Sequence, residues 1–261
     1  MRPLFKQLGL ALAMGLAAAA PASASVFFDD FTAAQSAFDA STNGAGEWGS
    51  QVNSGIIFGG SREVYAYKAG NAGSDGVGQR VGVTVNDGLA SFSSDADTYG
   101  YGLIRWDGAV ENGTATVLST AVDPTAPIFA ADTSSSLGNL FDYGIGFNVS
   151  YSSDHAFDIT ILVYTATGVF AAGQPVSSTG DAYVSDTILF SEFALIGGTG
   201  TIDDWADTRA VEVVFNGMLV NVGRLDMDFA PPTALVPEPG SIALAGLALL
   251  GLGAVRRRKA S

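Results

Sequence analysis

Asp95-Ala96-Asp97-Thr98-Tyr99-Gly100 comes nearest, by residue type and spacing, to a stretch that holds a metal. Asp, Asp and Gly fill the first, third and sixth positions of a calcium loop, where carboxylates face the ion and glycine allows the sharp turn. Tyr99 at the fifth position and Trp106 at the twelfth supply no carboxylate, so the loop is not an EF-hand. Asp95 and Asp97 remain candidate calcium ligands, with Asp203-Asp204 and Asp107-Gly108 as further acidic positions. Ordinary turns select the same residue types. Glu47, Glu63, Glu111, Glu192 and Glu212 offer carboxylates for glycoside hydrolysis, but no site-specific pattern surrounds any pair. A Ser-His-Asp triad would need the single histidine, His155. No serine sits in a Gly-x-Ser-x-Gly context, so His155 reads as a turn residue between two strands. The absence of cysteine removes thiol catalysis and, with one histidine, the usual zinc and iron sites. Trp48, Trp106 and Trp205 each stand beside acids or glycine. Flat rings in such loops stack on sugars, and core packing is the competing use.

Short strands must position these residues. Val81, Val83 and Val85 alternate with Gly82 and Thr84. Phe157, Ile159, Ile161 and Val163 share one face, opposite Asp158, Thr160 and Tyr164. Val211, Val213 and Phe215 oppose Glu212 and Asn216, and Leu225, Met227 and Phe229 oppose Asp226 and Asp228. This period of two predicts half-buried strands. Asn86-Asp87-Gly88 and Asn216-Gly217 are hairpin signals. Further strands are expected near Val26–Phe31, Ile56–Phe58, Arg62–Lys68, Leu89–Ser93, Tyr99–Trp106, Ala115–Ser119, Tyr143–Tyr151 and Tyr183–Phe190. Thr32–Ala40 reads as helical or irregular, and Ser41–Ser54 as loop. Many short strands without an amphipathic helix predict an all-β domain, an antiparallel β-sandwich of jelly-roll type. No fixed-period repeat supports a β-helix.

Both ends differ from this middle. Arg2 and Lys6 precede an apolar stretch from Leu8 to Ala20, and Ala22-Ser23-Ala24 follows. A positive start, a short apolar run and an Ala-x-Ala site make residues 1–24 a secretory signal peptide, cut after Ala24 and read by the Sec translocon. Residues 25–230 form the expected domain, and the proline-rich 231–235 a spacer. Between the two ends lie 6 cations against 25 acids, a net charge near −19. That balance opposes nucleic acid and anionic lipid and suits cations, neutral sugars or basic partners.

At the C-terminus, Val236-Pro237-Glu238-Pro239-Gly240 precedes an apolar run from Ser241 to Val255 and then Arg256-Arg257-Arg258-Lys259. Each proline fixes φ and biases its predecessor towards an extended shape. The apolar run is expected to be a short transmembrane helix, with the four cations held on the cytoplasmic side. This order, over residues 236–261, resembles the C-terminal sorting signal of the PEP-CTERM family. The resemblance implies recognition and cutting by an exosortase in the inner membrane of a Gram-negative bacterium. It further implies delivery to the cell surface or the exopolysaccharide matrix of a biofilm. It says nothing about the cargo. Three readings of the cargo stand: a non-enzymatic structural protein, a carbohydrate-binding module, and a polysaccharide hydrolase.

Overall fold

Val81, Val83 and Val85 all turn to the interior, as their alternation requires, on strand β5 (Val81–Asn86). β5 pairs with β6 (Leu89–Ser94) through Asp87 and Gly88, whose φ of 53° and 84° are those of a tight hairpin turn. This hairpin belongs to a computed structural model that describes residues 26–41, 46–49, 52, 56–71, 78–108, 136–219 and 225–234. The described residues fall in one compact unit, Val26–Leu235. The predicted signal peptide with Ala22 and Ala24, the strand near Ala115–Ser119 and the whole C-terminal tail lie outside them.

Two antiparallel sheets face each other. The first contains β1 (Val26–Phe27), β2 (Gln35–Asp39), β5, β6, β8 (Gly146–Ser153), β11 (Gly180–Leu189) and β14 (Leu225–Ala234). Its order is β11-β8-β14-β6-β5-β2, with β1 on β14. The second runs β12-β10-β9-β13-β7-β4-β3. Its strands are β3 (Glu47–Trp48), β4 (Glu63–Asn71), β7 (Thr98–Trp106), β9 (Phe157–Thr165), β10 (Gly168–Val176), β12 (Ala194–Gly198) and β13 (Thr208–Asn216). The expected β-sandwich is therefore present. Phe92, Phe147 and Phe229 from the first sheet meet Ile104, Ile161, Val213 and Phe215 from the second in one core. Each buried side chain of this size contributes about 1.5 to 3 kcal/mol through removal from water.

A buried polar junction ties the N-terminal segment to that core. Asp29 accepts hydrogen bonds from Arg62 Nη1 (2.9 Å), Phe31 N (2.8 Å) and Trp106 Nε1 (2.8 Å). Arg62 Nε donates to Gln35 Oε1 at 2.9 Å. Asp29 and Arg62 are both fully buried, which is tolerable only because each is paired.

Several expectations are corrected. Thr32–Ala40 is not helical: Gln35–Asp39 is a strand with strict in-out alternation, Gln35, Ala37 and Asp39 inward. Phe58–Gly60 is a 3₁₀ turn, with only an isolated bridge at Ile57. Asn216-Gly217 is no two-residue hairpin, since β13 and β14 lie in different sheets; Asn216 Oδ1 instead accepts from Met218 N. The stretch 231–234, expected as spacer, is strand. β14 continues through Pro231-Pro232 by a register shift between Ala230 and Thr233, which places both prolines where no ladder amide is needed.

Candidate functional site

On β7, Gly102, Ile104 and Trp106 alternate with Tyr101, Leu103 and Arg105. Ile104 and Trp106 belong to the core between the sheets, whereas Tyr101 and Leu103 belong to a second cluster with Tyr65, Leu162, Tyr164, Ala210 and Val214. This cluster is the opposite face of the second sheet. Strand register sets it in rows. Leu162, Glu212, Arg105 and Glu63 are successive neighbours across β9, β13, β7 and β4. Val214, Leu103, Tyr65 and Trp48 form the next row, across β13, β7, β4 and β3.

Arg105 is the centre of this face. Its Nε donates to Glu212 Oε1 at 2.6 Å, and Tyr164 donates its phenolic hydrogen to Glu212 Oε2 at 2.8 Å. Glu63 Oε2 lies 3.9 Å from Arg105 Nη1. Arg105 is 3% exposed and Glu212 fully buried. Nη2 of Arg105 is buried and has no hydrogen-bond partner. The guanidinium carbon lies 4.9 Å from the centroid of the Trp48 ring, a cation–π contact. Trp48 in turn packs on Tyr65 at 4.7 Å, the planes tilted by 38°. Trp48 is half-buried.

Burial pushes the Glu212 carboxyl above its ordinary value, against the pull of Arg105 and the bonds from Tyr164 and Arg105. Burial and the neighbouring Glu212 charge push the Tyr164 phenol well up. Both oxygens of Glu212 are engaged in holding other side chains. Glu212 thus positions a guanidinium and is not poised to exchange a proton with a substrate.

The residues singled out by sequence are dispersed. Asp95 Oδ2 accepts from Arg80 N at 2.9 Å, its carbonyl accepts from Thr98 N at 3.0 Å, and Asp97 takes φ 60°. The pair builds the turn between β6 and β7. Among the described residues no group of three or more His, Cys, Asp or Glu could hold a metal ion. Asp204 Oδ2 accepts from Thr201 N and Thr167 Oγ1 and caps the 3₁₀ turn Ile202–Asp207. Those bonds hold its carboxyl below the usual range. Glu192 accepts from Leu189 N at a second 3₁₀ turn. His155 Nδ1 lies 2.9 Å from Asp154 Oδ1 but is not aligned as a hydrogen bond. Ser153 Oγ donates to the backbone oxygen of His155 rather than to its ring, so the three do not form a triad. Trp106 and Trp205 are fully buried, Trp205 among Phe141, Phe170, Phe190 and Phe193. Of the three tryptophans only Trp48 reaches solvent. Sequence singled out Trp48, Glu63 and Glu212 separately; it did not point to Arg105, Tyr164 or Tyr65. The alternation on β9 and β13 was the available signal, since it turned Tyr164 and Glu212 away from the core.

Comparison with known proteins decides the tail. Residues 235–259 match the PEP-CTERM protein-sorting motif. The chain carries a PEP-CTERM sorting signal. The PEP-CTERM match covers 25 of 261 residues, and no curated protein matches the chain. Among solved structures, the chain is similar to the family 11 carbohydrate-binding module of the cellulosomal cellulase Lic26A-Cel5E of Clostridium thermocellum. Identity is 10% and the TM-score 0.36, over 83% of this chain and 96% of that one. It is also similar to a family 11 module from Clostridium thermocellum in complex with a β-1,3-1,4-mixed-linked tetrasaccharide. Here identity is 11% and the TM-score 0.33, over 79% and 99% of the two chains. Among the described residues no helix is long and apolar enough to cross a membrane; the expected tail helix, 241–255, is not among them.

Proposed function

We propose that this PEP-CTERM protein is a non-enzymatic component of the cell surface or exopolysaccharide matrix of a Gram-negative bacterium. The signal peptide takes it through the Sec translocon. Residues 241–255 hold the precursor in the inner membrane, with Arg256, Arg257, Arg258 and Lys259 on the cytoplasmic side, because moving four cations through hydrocarbon is costly. An exosortase then cuts near Val236–Gly240 and frees a jelly-roll-like domain.

The observation that carries this reading is the sorting motif at residues 235–259. Its place relative to the fold supports it. β14 ends at Ala234, one residue before the motif, and β1 begins at Val26, two residues after Ala24. Both expected cuts therefore fall just outside the paired strands. Changing Pro237, Glu238 and Pro239 to Ala tests the reading. The precursor should stay in the membrane, uncut and of full length. Normal maturation of the triple variant would mean that the tail is an anchor and nothing more.

A further inference from the structure

We propose that Trp48 and Arg105 form a binding site for a neutral polysaccharide on the outward face of the second sheet. The proposal rests on the reading that the domain is exported to where polysaccharide lies, and it names what the domain holds there.

Two observations point to a ligand. The first is the unpaired N–H at Nη2 of Arg105. The guanidinium cannot turn to satisfy it, because Glu212 holds Nε and Tyr164 holds Glu212. A buried donor without an acceptor is unfavourable, and a hydroxyl or ring oxygen supplied from outside satisfies it. The second is the placing of Trp48 over that guanidinium. Trp48 stands on a two-residue strand at the end of the sheet, paired on one side only, to β4. Trp48 is half-buried while Arg105, Tyr65 and Glu212 are buried, so its ring is the part of this group that meets solvent. Binding requires β3 to shift far enough to bring the buried Nη2 within reach of a ligand. An indole face is a platform for the C–H face of a pyranose, and Nη2 then donates to a hydroxyl beside it.

Charge selects the class of sugar. Glu63 lies beside Arg105 and Glu212 is bonded to it, so the single cation is already balanced. With a net charge near −19 on the domain, a uronate or sulfated polymer is repelled and an uncharged one is not.

Affinity electrophoresis of the full-length protein in polyoxyethylene-ether micelles tests this. The gels contain a neutral β-glucan, a neutral galactomannan, or alginate. At least one neutral polymer should retard the wild type, and alginate should not. Trp48→Ala should weaken the retardation about tenfold, equivalent to about 1.4 kcal/mol. Trp48→Phe, which keeps a flat ring, should stay within about threefold of wild type. Trp48→Leu keeps an apolar cover over Arg105 without the ring, so it should fold and still lose binding. Retardation by neither neutral polymer, by alginate alone, or undiminished in Trp48→Leu overturns the site. None of these results touches the sorting signal, whose test reads maturation without any polysaccharide.

Discussion

Val26 is paired with Ala234, so the first described strand and the last close on each other across β1 and β14. A domain whose two end strands pair in one sheet tolerates cuts just beyond those strands better than cuts within them. Phe28 N adds a hydrogen bond to Pro232 O at 3.1 Å. Ending the chain at Leu235 should therefore leave stability unchanged. Ending it at Ala230 removes the partner of β1 and should cost on the order of 1 to 3 kcal/mol, a few hydrogen bonds' worth. Urea unfolding of the two truncations checks this; equal midpoints would mean that 231–234 is a spacer after all.

Glu212→Ala leaves the Arg105 guanidinium buried without its hydrogen-bonded carboxylate, with the more distant Glu63 and the charge of Asp107 still near it. Removing one partner of a buried pair costs about 3 to 5 kcal/mol. Glu212→Gln keeps an acceptor for Arg105 Nε and should cost less than half of that. The same urea titration reads both, and a loss under 1 kcal/mol for Glu212→Ala would show that the pair is not buried in solution.

The pair also sets a pH dependence. Burial raises the folded-state pKa of Glu212 above its ordinary 4.5. Its stabilising contribution is then complete below the unfolded value and is lost as pH rises through the folded one. Glu212→Gln has no such proton, so the wild type should lose ground to it between pH 4 and pH 7. Melting midpoints of both proteins at the two pH values measure this. A gap that moves in the wild type's favour would mean that Arg105 holds Glu212 as a stabilised carboxylate.

Much of this fold was legible and the face around Arg105 was not. Val81, Val83, Val85 and the Asn86-Asp87-Gly88 turn carried the strongest local signals, and the hairpin is where they put it. β10 was missed because Gly168-Val169-Phe170-Ala171-Ala172-Gly173-Gln174-Pro175-Val176 is rich in residues that strands disfavour. Its place between β9 and β12 overrides that preference. Gln35–Asp39 looked helical or irregular for the same reason, and the inward turn of Gln35 to Arg62 is a contact 27 residues away. Arg105 and Glu212 are 107 residues apart. Their meeting depends on the register between β7 and β13, which no local pattern reports.

Asp95 was expected as a calcium ligand, and its carboxylate already accepts from the Arg80 amide. Asp95→Ala should cost about 1 kcal/mol by freeing that amide. The loss should be the same in EDTA and in millimolar calcium. A midpoint that rises with calcium in the wild type and not in Asp95→Ala would support the metal reading.

The most direct measurement places one epitope tag in the exported domain and a second after Ser261, and follows both by immunoblot of cells and medium. Processing through the PEP-CTERM signal predicts the domain tag at the surface or in the medium, on a chain shortened by roughly the tail. The C-terminal tag should stay with the cells or be degraded. Both tags on one extracellular polypeptide would contradict it.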